Sequence, residues 1–198
     1  MKTIEKRLEV LLLLGIAAVA LSWARADSSA GVAAPGDPEV IEALSGIDFI
    51  PNKTTLDQVF SGGADVGLIE LARDELGDTD PGLRIRAYRA LELYDTPAVE
   101  TALAEAVAEH HAGPKAGVGV LYLRVAAKSL ARVAGTDAVD DLIPLLSHPR
   151  RDIRSGAAEA LAITGAPAAI QPLRDQLALE TDLQTRLALS AALRDLGA

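Results

Sequence analysis

A repeated unit of about 31 residues constrains the fold of this chain more than any other feature of its sequence. The unit from Ala138 to Ala168 matches the unit from Ala169 to Ala198 in residue type and order. Each begins with apolar residues spaced by three and four positions, as on one face of an α-helix. In the two units these residues are Val139, Leu142 and Leu146, and Ile170, Leu173 and Leu177. Each unit is therefore predicted to begin with a helix.

The later half of each unit predicts a second helix. An arginine stands near its start, small and large apolar residues follow, and a glycine suited to a left-handed C-cap ends it. The corresponding residues are Arg154, Ala157, Ala160, Leu161 and Gly165, and Arg186, Leu189, Ala192, Leu193 and Gly197. One short amphipathic pair cannot bury its own apolar face, so neighbouring pairs must stack into a continuous core.

Two earlier pairs carry the same pattern in weaker form. Their second helices are indicated by Arg84, Ala87, Ala90 and Leu91, and by Ala126, Ala127 and Leu130. The second of these pairs is stretched by a Gly- and His-rich insertion over residues 109–119. The predicted fold class is all-α, an α-solenoid of about four antiparallel helix pairs over residues 65–198, with degenerate capping helices over residues 38–64. Aromatic residues make up only 3% of the chain, which also favours helices over strands.

The N-terminal segment has the three parts of a secretory signal. Lys2, Lys6 and Arg7 precede an apolar run from residue 10 to residue 21, and Ala24-Arg25-Ala26 offers small residues for a signal peptidase. The run is shorter than the roughly 20 residues that a permanent membrane helix needs. Residues 1–26 are therefore predicted to be a signal peptide, and residues 27–37 a flexible linker. The alternative is an inner-membrane anchor through residues 8–23; either way, an exported, periplasmic or extracytoplasmic location is expected.

Composition excludes several classes of function. The formal net charge is −9, and it becomes more negative without residues 1–26, which carry four basic and two acidic residues. Such a surface repels phosphate backbones and anionic lipids, so neither nucleic acid nor a membrane surface beyond the leader is an expected partner. The chain has no cysteine, so disulfides, thiolate metal sites and a lipoprotein anchor are excluded.

The third pair carries the most specific motif in the chain. Asp152-Ile153-Arg154 is followed by Ala157-Ala158-Glu159-Ala160-Leu161 and by the turn Gly165-Ala166-Pro167. This pattern resembles HEAT-like repeats of the short type first recognised in phycobilisome lyases, and the resemblance covers roughly residues 65–198. The second pair departs from it with Leu123 at the arginine position. The resemblance implies a right-handed superhelix whose second helices line a concave protein-binding face.

Aligning the second helices places one column of outward-facing residues on that face. Its middle is basic within an acidic protein, which makes it the first candidate for a partner-binding surface; the alternative is a solvated helix face with local ion pairs. The predicted partner-binding residues are Arg89, Glu92, Arg124, Lys128, Arg132, Glu159 and Arg194.

Other polar residues are interpreted as structural. Arg84, Arg154 and Arg186, with Asp152 beside Arg154, are expected to bridge to carboxylates or carbonyls of a neighbouring pair and to set the stacking angle. Pro144 and Pro172 are expected to bend the first helices in which they lie, because proline removes a backbone hydrogen bond.

No catalytic residue, metal site or cofactor is predicted. His110 and His111 follow Glu105 and Glu109 but have no metal-ligand spacing, so a polar helix end is the preferred interpretation. His148 is assigned to a turn.

The predicted function is an exported scaffold or adaptor that binds a protein partner and is not an enzyme. The alternative is an accessory or lyase-like enzyme subunit, suggested by the resemblance and by the His-bearing insertion. Leu187, Leu189 and Leu193 near the C-terminal edge suggest self-association through that edge as a further hypothesis.

Overall fold

A computed structural model describes residues 36–46, 50–74, 77 and 79–198. Two short helices come first, α1 (Pro38–Ala43) and α2 (Lys53–Val59). Helix pairs follow: α3 (Ala64–Arg73) with α4 (Pro81–Ala90), α5 (Pro97–Ala112) with α6 (Val118–Ala134), α7 (Val139–Leu142) with α8 (Arg151–Thr164), and α9 (Ile170–Leu179) with α10 (Leu183–Asp195). Short 3₁₀ turns occupy Leu91–Leu93, Gly135–Ala138, Ile143–Ser147 and Pro167–Ala169. The predicted all-α solenoid is confirmed. The predicted leader and most of the linker lie outside the described residues.

The pairs stack in two layers. The second helices form one row, in which α4 packs on α6, α6 on α8 and α8 on α10. The first helices form the other row, in which α3 packs on α5 and α5 on α7. Leucines from successive pairs, such as Leu91, Leu123 and Leu161, are fully buried between the layers. Burial of each such side chain contributes roughly 2 kcal/mol, so the continuous apolar core holds the stack together.

Side-chain caps define where several helices begin. Asp80 accepts a hydrogen bond from the Leu83 amide at 3.0 Å, and Asp182 accepts one from the Thr185 amide at 2.9 Å. Asn52 and Thr96 cap α2 and α5 in the same way. These bonds satisfy amide groups that have no partner within the helix. At the other end of α8, Gly165 adopts the predicted left-handed conformation, with φ of 65°.

The N-terminal helices pack against the first pair through a large aromatic residue. Phe60 is fully buried with Leu56 from α2 and Leu44 beyond α1. Gly67 on α3 leaves the space for the Phe60 ring, because a Cβ atom at that position would overlap the ring carbons. This close aromatic contact helps to hold the degenerate cap, together with the hydrogen bond from the Tyr94 hydroxyl to Asp57 at 2.9 Å.

The first helix of the third pair differs from the prediction. The stripe predicts one continuous helix, but α7 ends at Leu142 and the chain continues as a 3₁₀ turn that contains Pro144. Proline has no amide hydrogen, so it favours this local change in winding. Pro172 lies in the first turn of α9, where amide groups lack helical partners in any case, so the expected bend is not needed there.

The predicted insertion in the second pair is mostly helical. Helix α5 continues through His110 and His111 to Ala112, and α6 begins at Val118. Only the short Gly-rich segment from residue 113 to residue 117 is non-helical. The extra residues therefore lengthen both helices of this pair and carry the histidines into the packed stack.

Among the described residues, no helix is both long enough and apolar enough to cross a membrane.

Candidate functional site

An open groove of about 370 Å³ runs across three second helices, α4, α6 and α8. We call it the second-helix groove. Its charged lining includes both basic and acidic side chains, and its apolar side chains are partly buried. The residues that line it are Ile85, Arg89, Glu92, Arg124, Val125, Lys128, Arg132, Gly156 and Glu159.

Helical spacing explains why these side chains share one surface. Ile85 and Arg89 are four residues apart on α4, and Arg124 and Lys128 are four apart on α6, so each pair projects from one helix face. Residues such as Ala87 and Ala126 lie on the opposite faces, and both are fully buried. The small alanines bring the helices close together, which aligns the outer faces into a groove.

Of the residues predicted from sequence to bind a partner, all but one line this groove. Arg89, Glu92, Arg124, Lys128, Arg132 and Glu159 belong to it. Arg194 does not; it is exposed on α10 with its Nε 3.6 Å from Asp195 Oδ1. Sequence reasoning missed Val125 and Gly156. A glycine inside a helix was the available signal for the second of these.

Glu92 neutralises one of the groove cations. The Nη1 atom of Arg132 lies 2.6 Å from both carboxylate oxygens of Glu92. Glu92 also accepts a hydrogen bond from the hydroxyl of Ser129, which is fully buried, at 2.8 Å. These bonds join α6 to the turn after α4. Arg132 therefore both links the first and second helix pairs and lines the groove.

A second ion pair in the groove is looser. Lys128 Nζ lies 3.9 Å from Glu159 Oε2, and both side chains are largely exposed. Exposed pairs of this kind contribute less than about 1 kcal/mol, so Lys128 is free to exchange partners.

Two arginines in the groove make no ion pair among the described residues. Within the described part of the chain, no carboxylate oxygen lies within 4.0 Å of the guanidinium of Arg89 or Arg124. The side-chain stem of Arg124 crosses α8 at Gly156, where a Cβ atom would lie 3.2 Å from Arg124 Cγ. The groove thus presents unneutralised cations beside apolar side chains.

The three arginines predicted to be structural all donate to backbone carbonyls at the end of a first helix. Arg84 Nε and Nη2 bond the Ala72 carbonyl at 3.1 and 2.9 Å. Arg186 Nη1 bonds the Leu177 carbonyl at 2.9 Å, and Arg154 Nη1 bonds the His148 carbonyl at 2.9 Å. The predicted bridge to a neighbouring pair is present at Arg154, which also bonds the carboxylate of Glu180, whereas these carbonyl contacts lie within each arginine's own pair. The reason is that the second helix starts close to the carbonyls that the first helix leaves without partners.

Arg154 makes an additional bond to the next pair. Its Nε and Nη2 atoms lie 2.6 and 2.9 Å from the carboxylate of Glu180, which is 6% exposed. The hydrogen bonds from Arg154 lower the pKa of Glu180 to about 2. Asp152, predicted to assist Arg154, instead accepts two hydrogen bonds from Arg150 at 2.9 Å. The Arg154–Glu180 pair is therefore a buried ionic link between the third and fourth pairs, and the more exposed Arg151–Asp182 pair at 3.3 Å is another.

The histidines make contacts that share no residue with the groove lining. His110 Nε2 is 3.2 Å from the Tyr88 hydroxyl, and both rings contact Tyr122. The His111 ring faces that of His148, with centroids 5.8 Å apart. Burial lowers the pKa of all three histidines. The expectation of a polar helix end is incomplete, because His110 packs into an aromatic cluster.

In the described part of the chain, this cluster lacks the side chains of a metal site. Among the described residues, no group of three or more histidine, cysteine or acidic side chains is placed to hold a metal ion. The imidazole Nδ1 of His148 accepts the Arg150 amide at 3.1 Å, so the proton of the neutral ring sits on Nε2. A metal ion at this ring would have to displace either that proton or the hydrogen bond from the Arg150 amide.

The comparison with known families agrees with the geometry of the stack. Residues 122–194, from α6 to α10, match the family model for HEAT repeats. These residues are HEAT repeats. The match is to HEAT repeats in general, so the resemblance to the short phycobilisome-lyase type stays a prediction. No curated protein and no solved structure matches the chain at a significant level. HEAT repeats generally mediate protein–protein interaction and are typical of scaffolds without enzymatic activity.

The far end of the HEAT stack exposes leucines. Leu179, Leu183 and Leu187 are 77%, 71% and 63% exposed, whereas Leu189 and Leu193 are buried in the core. The hypothesis of self-association therefore rests on Leu187 and on two leucines that the sequence reasoning did not name.

Proposed function

We propose that this protein is an exported HEAT-repeat scaffold that binds a protein partner in the second-helix groove. The observation that carries the proposal is the pair of unneutralised arginines, Arg89 and Arg124, in a groove of an otherwise acidic chain. Charged side chains that lack an internal partner retain their full capacity for an external one. The apolar side chains of Ile85 and Val125 beside them add surface that a polypeptide buries on binding.

The cellular location is part of this proposal. It rests on the basic residues, the apolar run and the Ala24-Arg25-Ala26 site at the N-terminus. Mass spectrometry of the protein purified from its native host tests it. A mature N-terminus at Asp27 supports export with cleavage, whereas a protein that retains Trp23 supports a membrane anchor instead. Recovery of the intact chain from the cytoplasm would reject export altogether.

Affinity capture tests the groove. The tagged protein is used to capture proteins from an envelope fraction, beside a double variant with Arg124→Glu and Lys128→Glu. Charge reversal in the groove should abolish capture of the specific partner, because like charges then face each other. Arg174→Glu on α9 is the matched control, since it makes the same kind of charge change on an exposed first-helix residue. Equal capture by all three proteins would remove the groove from the proposal.

The alternative is an accessory or lyase-like enzyme subunit. Its support is the contact between the Tyr88 hydroxyl and His110 Nε2 at 3.2 Å, which couples two titratable groups in a half-buried position. If this alternative is correct, His110→Phe abolishes an enzymatic activity of the captured complex while partner capture is unchanged. If the scaffold proposal is correct, the variant changes neither partner capture nor any enzymatic activity of the complex.

A further inference from the structure

Gly156 occupies a helical position at which another residue would stabilise the helix more. It lies in the middle of α8, where glycine is less favourable than alanine because its backbone loses more freedom on folding. In the aligned second helices the corresponding residues are Arg86, Val125 and Ala188. Glycine is thus not a requirement of the repeat at this position, and its presence in α8 needs a reason.

The stem of Arg124 supplies that reason. A Cβ atom at position 156 would lie 3.2 Å from Arg124 Cγ and 3.6 Å from Arg124 Cδ. The first distance is tighter than ordinary van der Waals contact, so the missing side chain makes room for the arginine stem. The absence of a side chain at Gly156 therefore lets the stem of Arg124 follow a path close over α8.

The guanidinium at the end of that path has no carboxylate partner. Among the described residues, none lies within 4.0 Å of Arg124 or of Arg89, which lines the same groove from α4. A guanidinium offers a planar set of donors that matches a carboxylate in two parallel hydrogen bonds. A positioned, unpaired arginine is therefore suited to hold a carboxylate from outside the chain.

The rest of the groove lining favours a carboxylate of a polypeptide over a phosphate. Glu92 and Glu159 line the groove along with the cations, and the chain as a whole carries a net charge of −9. These charges penalise a doubly charged phosphate more than a singly charged carboxylate. Ile85 and Val125 lie beside the arginines and favour a ligand that also carries apolar side chains.

We propose that Arg124 and Arg89 form a carboxylate-binding subsite of the second-helix groove, that Gly156 positions Arg124 in it, and that the occupant is an acidic segment of a partner protein. The inference rests on the proposed function and specifies the chemistry of the partner. Arg89 and Arg124 contact the ligand. Gly156 acts only through Arg124.

Peptide binding to the purified mature protein tests the subsite. The probe is a short fluorescein-labelled peptide in which glutamates flank a central leucine, and its counterpart has glutamine at each glutamate position. Binding is followed by fluorescence anisotropy at low and at physiological salt. The acidic peptide should bind at least about ten-fold more tightly than the glutamine peptide, and added salt should weaken it. Equal affinity for the two peptides would overturn the proposal, and so would inorganic phosphate that competes at the same concentration as the unlabelled acidic peptide.

Variants separate positioning from a merely structural role. Arg124→Glu should lower the affinity for the acidic peptide by about ten-fold or more. Arg124→Lys should lower it by less, because lysine keeps the charge but not the planar donors. Gly156→Ala should lower the affinity for the acidic peptide by about three-fold or more. The midpoint of urea unfolding should stay equal or rise. A purely structural glycine would instead lower the midpoint on replacement, without changing the affinity for the peptide. Arg174→Glu is the control that should bind as the wild type does. Wild-type affinity in Gly156→Ala would remove Gly156 from the subsite.

The outcomes also separate this inference from the proposed function. If partner capture depends on Arg124 and Lys128 but the acidic peptide is not preferred, the scaffold proposal stands and the carboxylate subsite fails. If the peptide depends on Arg124 and Gly156 but no partner is captured, the subsite stands and the scaffold proposal fails. Dimerisation that Arg124→Glu abolishes would assign the groove to a second copy of this acidic chain and overturn the partner proposed here.

Discussion

Replacement of Glu180 by glutamine tests how the third and fourth helix pairs are held together. One oxygen of the Glu180 carboxylate accepts bonds from Arg154 Nη2 and from the amides of Thr181 and Asp182 at 2.9 to 3.1 Å. The other accepts Arg154 Nε at 2.6 Å. Glutamine keeps the size of the side chain but loses the charge. Its amide NH₂ group is a hydrogen-bond donor and would face the N–H donors that the carboxylate oxygens accept from.

The pKa of Glu180 gives the expected size of the stability loss in Glu180→Gln. A fall from 4.5 to about 2 corresponds to about 3 kcal/mol of preferential stabilisation of the charged form in the folded protein, at about 1.4 kcal/mol per unit. Solvent screening is weak at this pair, because the side chains of Arg154 and Glu180 are only 15% and 3% exposed. Glu180→Gln should therefore lower the free energy of unfolding at neutral pH by about 2 to 3 kcal/mol.

The same pKa predicts how the effect depends on pH. The folded-state pKa is depressed, so the contribution of Glu180 is fully present above about pH 4.5 and is lost as the pH falls toward 2. The difference in stability between wild type and Glu180→Gln should therefore be constant near neutral pH and shrink through this acidic window.

Urea unfolding followed by circular dichroism, at neutral pH and at several acidic values, measures this difference. Glu105→Gln is the control, since Glu105 also pairs with an arginine, Arg73 at 2.6 Å, but is 60% exposed. It should cost less than about 1 kcal/mol. Equal small effects of the two variants, or an effect of Glu180→Gln that persists unchanged at pH 2, would refute the reasoning.

Three further predictions concern other parts of the stack. Gly67→Ala should lower the free energy of unfolding by about 1 to 3 kcal/mol in urea, since the added methyl group collides with the buried ring of Phe60; wild-type stability would show that the ring moves aside freely. The buried His148 has a lowered pKa, so the unfolded chain takes up its proton first and stability falls as the pH drops below about 6.5; His148→Asn should flatten that fall, and an unchanged pH profile would contradict this account. If the exposed leucines mediate self-association, sedimentation should show concentration-dependent dimers that Leu187→Ser weakens, and a wild-type monomer at all concentrations would reject the hypothesis.

Sequence alone predicted the helices and their order because the determining interactions are local. Apolar residues three and four apart define one helix face, and Asp80 or Thr96 before a proline marks a start through a bond to an amide three residues on. The stacking followed from the same pattern, since a repeat of such pairs has no other way to bury its apolar faces. At Pro144 the sequence predicted a bend within the helix, and the structure instead has a change from α-helix to a 3₁₀ turn.

The tertiary structure decided which charges remain available in the groove. The sequence placed Arg89, Arg124, Lys128 and Arg132 in one basic column, but the carboxylates that pair with Lys128 and Arg132 come from other helix pairs. Glu92, for example, lies forty residues before Arg132. Arg124 and Gly156 meet in the same way across the stack. No local pattern reports such contacts, because they depend on how one pair is rotated against the next. The sequence therefore determined a solenoid with a basic column, and packing between repeats determined that, within the described residues, Arg89 and Arg124 have no carboxylate within 4.0 Å.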